Sequence, residues 1–245
     1  MACDLSILVP VFNEEDNILP LAEEVAHALR NEVRSYELVF VDDASTDGTW
    51  VKIQEARRRD RRVRGLRHKR NCGQSAALWT GLQATVSPII ATMDGDLQND
   101  PADLPKLLKE LEEYDFVCGV RTKRKDDFVR RASSNVARKA RKLMLGVDFR
   151  DTGCAFRVFK RAVLKDVFPF NGLHRFLPVL VHGAGRSTRE IPINHRPRVA
   201  GVSKYGLWNR LGRGILDLCA MAWYQQRRVS GVSFEELPDE SQQEK

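Results

Sequence analysis

Apolar positions along this chain follow two different periods. Short runs rich in β-forming residues cover Ser6 to Val11, Tyr36 to Val41, Val63 to Arg67, Pro88 to Met93 and Asp115 to Val120. Between them, apolar residues recur three and four apart: Ile18, Leu21, Val25 and Leu29, then Trp50, Ile53 and Ala56, then Leu104, Leu107, Leu108 and Leu111. A further helical stretch opens at Asn71 and runs through Leu82. Runs of the first kind suit strands buried on both faces, and the second kind lays one apolar stripe along a helix. Their alternation predicts an α/β protein with βαβ units and a mostly parallel central sheet flanked by helices. After Val120 the pattern changes. Phe128 to Leu145 predicts a long basic helix. Cys154 to Phe159 and Arg189 to Asn194 predict strands, and Arg161 to Phe168 and Phe176 to Val181 predict helical pieces. An amphipathic helix is expected over Leu207 to Gln226, with Trp208, Leu211, Ile215, Leu218, Met221 and Trp223 among its apolar positions. Residues 1–228 are expected to form a single domain, with 229–245 an acidic, disordered tail.

The ends of the strands carry the chemistry. The second runs into Asp42-Asp43-Ala44-Ser45-Thr46-Asp47-Gly48-Thr49, where Ser45 or Thr46 is expected to cap the next helix. The fourth runs into Asp94-Gly95-Asp96-Leu97-Gln98-Asn99-Asp100-Pro101. In open α/β sheets, ligands bind at the carboxyl edge of the strands. There Asp94, Asp96 and Gln98 offer only hard oxygen atoms, a set that suits Mg²⁺ or Mn²⁺ held together with substrate phosphates. A solvated Asp-Gly turn is the plain alternative. Neither G-x-G-x-x-G after the first strand nor G-x-x-x-x-G-K-[ST] occurs. A bound diphosphate would therefore have to be neutralised by a metal on Asp94 and Asp96.

Composition narrows the field. With 245 residues, 42% of them hydrophobic and 30% charged, the chain can bury the core of one large α/β domain. No secretory leader and no apolar run long enough to span a membrane is seen. Five scattered cysteines without a C-x-x-C pair predict free thiols in a reducing compartment. The net charge of +7 is concentrated in two basic runs, Arg57 to Arg70 and Arg121 to Lys142. The first is expected to be a solvated face and the second to meet an anionic partner. A nucleic-acid partner is not expected, because the basic runs lack interleaved aromatics. His174, His182 and His195 show no metal-ligand spacing and are expected to be structural.

In order and spacing, several motifs resemble the family 2 glycosyltransferases of the GT-A fold. They are Val9-Pro10-Val11-Phe12-Asn13-Glu14, Asp42 to Thr49, Asn71-Cys72-Gly73-Gln74, Asp94 to Pro101, Asp151-Thr152-Gly153 and Ser203-Lys204-Tyr205. The likeness is to the branch containing dolichyl-phosphate mannosyltransferase and bacterial polyprenyl-phosphate glycosyltransferases. It implies inverting transfer of a sugar from a nucleotide-diphosphate donor, GDP-mannose or a UDP-sugar, to a polyprenyl phosphate at the cytoplasmic face of a membrane. On this resemblance Pro10, Phe12 and Glu14 line the base and ribose pocket, with Asp42 or Asp43 on the base or ribose. Asp94, Asp96 and Gln98 match the metal- and diphosphate-binding positions, and Arg198 and Lys204 those that close over the diphosphate. Arg121, Arg130 and Ser134 match a lipid-phosphate cluster, and the last two share a helix face. A phosphate monoester is already a dianion at neutral pH, so it needs positioning more than a general base. A saccharide or lipid-sugar hydroxyl acceptor would instead need a base, for which Asp151 is the candidate, although a turn or cap role suits Asp151 better. Some members of the wider branch carry two transmembrane helices after the catalytic domain. None is seen here, so anchoring falls to Leu207–Gln226, to Phe128 and its basic neighbours, or to a membrane-protein partner.

Overall fold

The computed structural model describes residues 3–32, 34–121, 138–140, 142–197 and 207–228. Seven strands form one sheet: β1 (Leu5–Val11), β2 (Tyr36–Asp42), β3 (Val63–Arg67), β4 (Ile89–Thr92), β5 (Phe116–Arg121), β6 (Arg157–Lys160) and β7 (Thr188–Ile193). Their order across the sheet is β3-β2-β1-β4-β6-β5-β7. β1 pairs in parallel with β2 and β4, β2 with β3, and β5 with β7. Only β6 runs the other way, antiparallel to both β4 and β5. The sheet is thus mostly parallel, as the alternation of strands and helices predicts. The helices are α1 (Glu15–Ala28), α2 (Thr49–Arg59), α3 (Gln74–Ala84), α4 (Leu104–Glu110), α5 (Leu173–Gly183) and α6 (Leu207–Arg227). Residues 138–140 and 142–145 are also helical.

Successive side chains of a strand point to opposite faces, and β1 shows why its run is apolar throughout. Leu5, Ile7, Val9 and Val11 join Ile18, Leu21 and Val25 of α1 and Leu104, Leu107 and Leu108 of α4 in one core layer. Leu8 joins Val39 and Val41 of β2 on the other face, against Ala77, Leu78 and Leu82 of α3, Leu177 and Leu180 of α5, and Leu218 and Met221 of α6. Because β1, β2 and β4 are parallel neighbours, the loops that follow them open on one edge. β4 is the shortest of the three: Thr92 pairs with Leu8, and Met93 N–H bonds to Leu8 O at 3.1 Å. The acidic loop after β4 therefore lies alongside the last residues of β1.

Three local expectations are corrected. The strand expected from Cys154 begins at Arg157. Cys154 and Phe156 are buried, which gives a strand-like alternation, but the chain there turns, with Cys154 N–H bonded to Asp151 O at 3.3 Å and Arg157 Nη2 to Thr152 O at 2.9 Å. Neither Ser45 nor Thr46 caps α2. The cap is Gly48, and Asp47 Oδ1 accepts the Thr49 N–H at 3.0 Å. The helical pieces also shift: one is a 3₁₀ helix over Arg161–Asp166, and the next begins at Leu173.

Candidate active site

The loops after β1 and β2 are knitted together by side chains. Ser45 Oγ accepts the Asn13 N–H at 2.9 Å, Asn13 Oδ1 accepts the Thr46 N–H at 2.8 Å, and Thr49 Oγ1 accepts the Glu14 N–H at 2.8 Å. The non-glycine residues with positive φ among those described are Asn13 (55°), Ala44 (61°) and Leu97 (58°). Each lies just past β1, β2 or β4. A left-handed backbone costs an L-residue roughly 1–2 kcal/mol, least for Asn, and such strain gathers where the surrounding structure and function demand it. Pro10, Phe12 and Glu14 sit half-buried at this edge, with Glu14 Oε2 accepting from Asn17 Nδ2 at 2.6 Å.

Asp42 and Asp43 are turned into the protein. Asp42 is fully buried, accepting the Ser45 N–H at 2.8 Å and lying 3.0 Å from Arg67 Nε. Asp43 is also buried. It accepts the N–H groups of Cys72 (2.8 Å) and Gly73 (2.7 Å) and lies 2.7 Å from His68 Nδ1. Both carboxylates hold the walls of the edge in place. Other members of the Arg57–Arg70 run are likewise paired, Arg59 with Glu55, Arg62 with Asp60 and Arg64 with Glu37.

The acidic tip of β4 is the centre of the edge. A Cβ on Gly95 would stand 2.6 Å from Val11 Cγ1, so only glycine lets Asp94-Gly95-Asp96 lie against β1. Asp94 is half-buried and Asp96 is 7% exposed. Burial, then the charge of Asp96, pushes the Asp94 carboxyl up to about 6, against the pull of Arg121, Arg157 and the Gln74 hydrogen bond. Two carboxylates crowded into one poorly solvated pocket are a donor set that a hard divalent cation relieves, so the residues fit Mg²⁺ or Mn²⁺. Asp94 and Asp96 would hold it. Gln98 gives its backbone N–H to Asp96 Oδ1 (3.2 Å) and its amide Nε2 to Arg196 O (3.4 Å).

Gln74 and Asn99, which the sequence offers only as members of motifs without a role, set this tip. Gln74, first residue of α3, donates Nε2 to Asp94 Oδ1 at 3.0 Å, and buried Asn99 accepts the Asp94 N–H at 3.2 Å. The tip also anchors the basic loop that follows β7. Arg196 N–H bonds to Gln98 O at 2.9 Å, Asn99 bridges to His195, and the Arg196 guanidinium pairs with Glu24 and Asp100 at 2.7 Å each. The described chain after β7 thus runs alongside the β4 loop as far as residue 197. Arg198 and Lys204, like Arg130 and Ser134, lie outside the described residues.

On the other side of Asp94 stands positive charge. Arg121, at the end of β5, grips Asp151 with both arms, Nε to Oδ2 at 2.6 Å and Nη2 to Oδ1 at 2.8 Å. Burial works against the Arg121 charge, but the Asp151 bonds outweigh it and hold the guanidinium above its ordinary value. Asp151 opens the expected turn, its O accepting the Cys154 N–H at 3.3 Å, and its side chain is also the buried half of an ion pair. Glu190 Oε1 secures the same turn by accepting the N–H groups of Arg150 (2.8 Å) and Asp151 (3.3 Å). Arg157, opposite Thr92 in the sheet, is fully buried, and its Nε has no hydrogen-bond partner. His174 is structural, as expected. Its Nδ1 meets Ser75 Oγ at 2.7 Å, and burial pushes it down to about 4, so it is neutral.

Comparison with known proteins places this geometry. The profile of the family described as Glycosyl transferase family 2 matches residues 6–168. A dodecaprenyl-phosphate galacturonate synthase of Rhizobium johnstonii is 40% identical over 237 residues, 94% of this chain and 70% of that protein. An undecaprenyl-phosphate 4-deoxy-4-formamido-L-arabinose transferase of Shewanella sediminis is 37% identical over 93% of this chain and 70% of that protein. The chain spans 63% of the length of the Edwardsiella ictaluri protein of the same description. Among solved structures, glucosyl-3-phosphoglycerate synthase of Mycobacterium tuberculosis with Mn²⁺, uridine diphosphate and phosphoglyceric acid aligns with a TM-score of 0.66 at 17% identity, over 97% of this chain and 80% of that one. Mannosyl-3-phosphoglycerate synthase of Rubrobacter xylanophilus aligns with a TM-score of 0.67 at 14% identity, over 96% and 79%. At these identities the shared property is the fold.

Proposed function

The chain belongs to glycosyl transferase family 2 and is a glycosyltransferase of the GT-A fold; from that premise we propose that it moves a sugar, with inversion, from a nucleotide-diphosphate sugar to a polyprenyl phosphate at the cytoplasmic face of a membrane. The relatives at 40% and 37% identity are described as polyprenyl-phosphate sugar enzymes, which supports the acceptor class. The observation that carries the reading is an oxygen-only acidic tip at Asp94 and Asp96 within electrostatic reach of the Arg121 guanidinium, while Arg157, also within reach, is fully buried. The acidic side suits a cation and the donor diphosphate, and the cationic side suits an anionic acceptor.

A divalent cation bound by Asp94 and Asp96 would supply the charge that stabilises the departing diphosphate. The residues of the chain do the rest. The loops after β1 and β2, with Pro10, Phe12, Glu14, Asp42 and Asp43, shape the wall for the nucleoside. Arg198 and Lys204 are the proposed closing groups over the diphosphate. Arg121, aimed by Asp151, with Arg130 and Ser134, holds the acceptor phosphate in line with the sugar carbon. A phosphate monoester has its second pKa near about 6, so its oxygen is a competent nucleophile at neutral pH without a base. Asp151 in turn is spent on Arg121, which disfavours the hydroxyl-acceptor alternative.

Among the described residues no helix is long and apolar enough to cross a membrane. Contact with the lipid surface is proposed through exposed apolar side chains, Leu143 (88% exposed), Leu216 (71%) and Trp223 (65%). The deciding experiment is labelled-sugar transfer from a panel of nucleotide sugars, GDP-mannose and UDP-sugars included, to undecaprenyl phosphate and to the matching prenol in detergent. Product is expected with the phosphate alone. Equal transfer to the prenol, or transfer only to saccharide hydroxyls, would reject the phosphate acceptor.

A further inference from the structure

Away from the β4 tip, the described residues bring together one mixed set of metal-ligating side chains. Asp43, His68 and Cys72 each offer a ligand atom, and these atoms lie within 4.8 Å of one another. They come from the residue after β2, the residue after β3 and the loop entering α3. We propose that they form a site for a thiophilic divalent metal of the zinc class, distinct from the hard-cation site at Asp94 and Asp96.

The donor chemistry makes the distinction. A carboxylate, an imidazole and a thiolate are ligands that Zn²⁺ takes tetrahedrally, with water in the fourth position, whereas Mg²⁺ keeps to oxygen. Asp43 is pre-set by the N–H groups of Cys72 and Gly73, at 2.8 and 2.7 Å. The His68 ring is held at both nitrogens, Nδ1 2.7 Å from Asp43 Oδ1 and Nε2 2.9 Å from Thr80 Oγ1. A metal on Nδ1 needs the single proton of the neutral ring on Nε2, where it donates to Thr80 Oγ1, the outer hydrogen bond that fixes the tautomer of a ligating histidine. Bond lengths near 2.0–2.3 Å place tetrahedral ligand atoms roughly 3.3–3.8 Å apart. The His68–Asp43 contact must therefore open by somewhat under an ångström, and Cys72 must swing in. Cys72 is exposed and its Sγ donates to Arg70 O at 3.4 Å, a hydrogen bond the thiol gives up on ionising to bind metal. Next to it, Gly73 has φ +88° and nothing within 4 Å of its Cβ position, so the loop has room to follow. An ion there ties the ends of β2 and β3 to the start of α3.

The test is titration of metal-stripped full-length protein with Co²⁺, followed by absorption. A thiolate-to-cobalt charge-transfer band with the visible bands of a tetrahedral site is expected. It should survive in Cys3→Ser/Cys219→Ser and in Asp94→Asn/Asp96→Asn, and disappear in Cys72→Ser, an exposed position where circular dichroism checks that the fold is kept. Thr80→Val should weaken binding roughly 10–100-fold. Absence of the band in the parent protein, or its persistence in Cys72→Ser, overturns the site. Loss of the band in Asp94→Asn/Asp96→Asn would assign the metal to the β4 tip and overturn it as well.

Discussion

Replacing Asp151 by Asn separates the two acceptor chemistries. In the structure both Asp151 oxygens face the Arg121 guanidinium, at 2.6 and 2.8 Å, and the two side chains are 7% and 15% exposed. Removing one partner of a buried pair costs about 3–5 kcal/mol, because the other charge is left without compensation. Asn keeps one acceptor oxygen but turns an N–H₂ toward the cation, so about 2–3 kcal/mol is expected. For a chain of this size each kcal/mol shifts Tm by about 2–4 °C, giving a fall of about 4–12 °C. Thermal unfolding followed by circular dichroism reads this directly. Because Arg121→Gln removes the cation that Asp151 serves, the double variant Arg121→Gln/Asp151→Asn should lose less than the sum of the two single changes. Transfer to polyprenyl phosphate should fall through a raised acceptor KM, while the pH–rate profile keeps its acidic side unchanged. A Tm within about a degree of the parent, together with loss of the acidic limb in the profile, where protonation would silence a carboxylate base, would show that Asp151 moves a proton and does not aim Arg121.

Other outcomes follow from the same geometry. Asp96→Asn should lower transfer by roughly a thousandfold or more while leaving circular dichroism unchanged, because the metal supplies several kcal/mol to the departing diphosphate; near-normal turnover would remove the metal role. Gly95→Ala should cost about 1–3 kcal/mol by forcing a Cβ to 2.6 Å from Val11 Cγ1, and Val11→Ala in the same chain should recover part of it; an unchanged Tm would deny the close approach. The Asp94 carboxyl, at about 6 when folded against 3.8 ordinarily, binds its proton more tightly in the folded state. In metal-free protein this contribution to stability is present below about pH 4 and is lost as pH rises through 6. Asp94→Asn should therefore make metal-free protein more stable at pH 7, and divalent cation affinity should weaken as pH falls through 6; the opposite trend in either would contradict the crowding of the two carboxylates. Leu216→Ser/Trp223→Ser should reduce sedimentation with anionic vesicles, and binding by the variant equal to that of the parent would place the membrane contact elsewhere.

The parallel half of the sheet was legible because its strands are buried on both faces and announce themselves as unbroken apolar runs, and the acidic ends of β2 and β4 were legible because they interrupt those runs. Burial also misled: Cys154 and Phe156 are core residues on a turn, and their alternation imitates a strand. What the sequence could not display is contact between distant positions. Arg121 and Asp151 are 30 residues apart, and Ser45 closes on Asn13 across 32, so the guanidinium clamp is added to the turn, and the cross-loop bond stands in for the helix cap, that local rules favour. The Asp43–His68–Cys72 group is hidden for the same reason, since its members are assembled by the parallel pairing of β2 and β3 and not by a spacing motif.

A divalent cation at Asp94 and Asp96 is proposed to carry the charge of the leaving diphosphate. The initial rate of sugar transfer to undecaprenyl phosphate, measured on chelator-treated protein before and after addition of Mg²⁺ or Mn²⁺, tests it most directly. Near-zero transfer restored by either ion, but not restored in Asp96→Asn, is the predicted result. An undiminished rate in the chelated protein would contradict it.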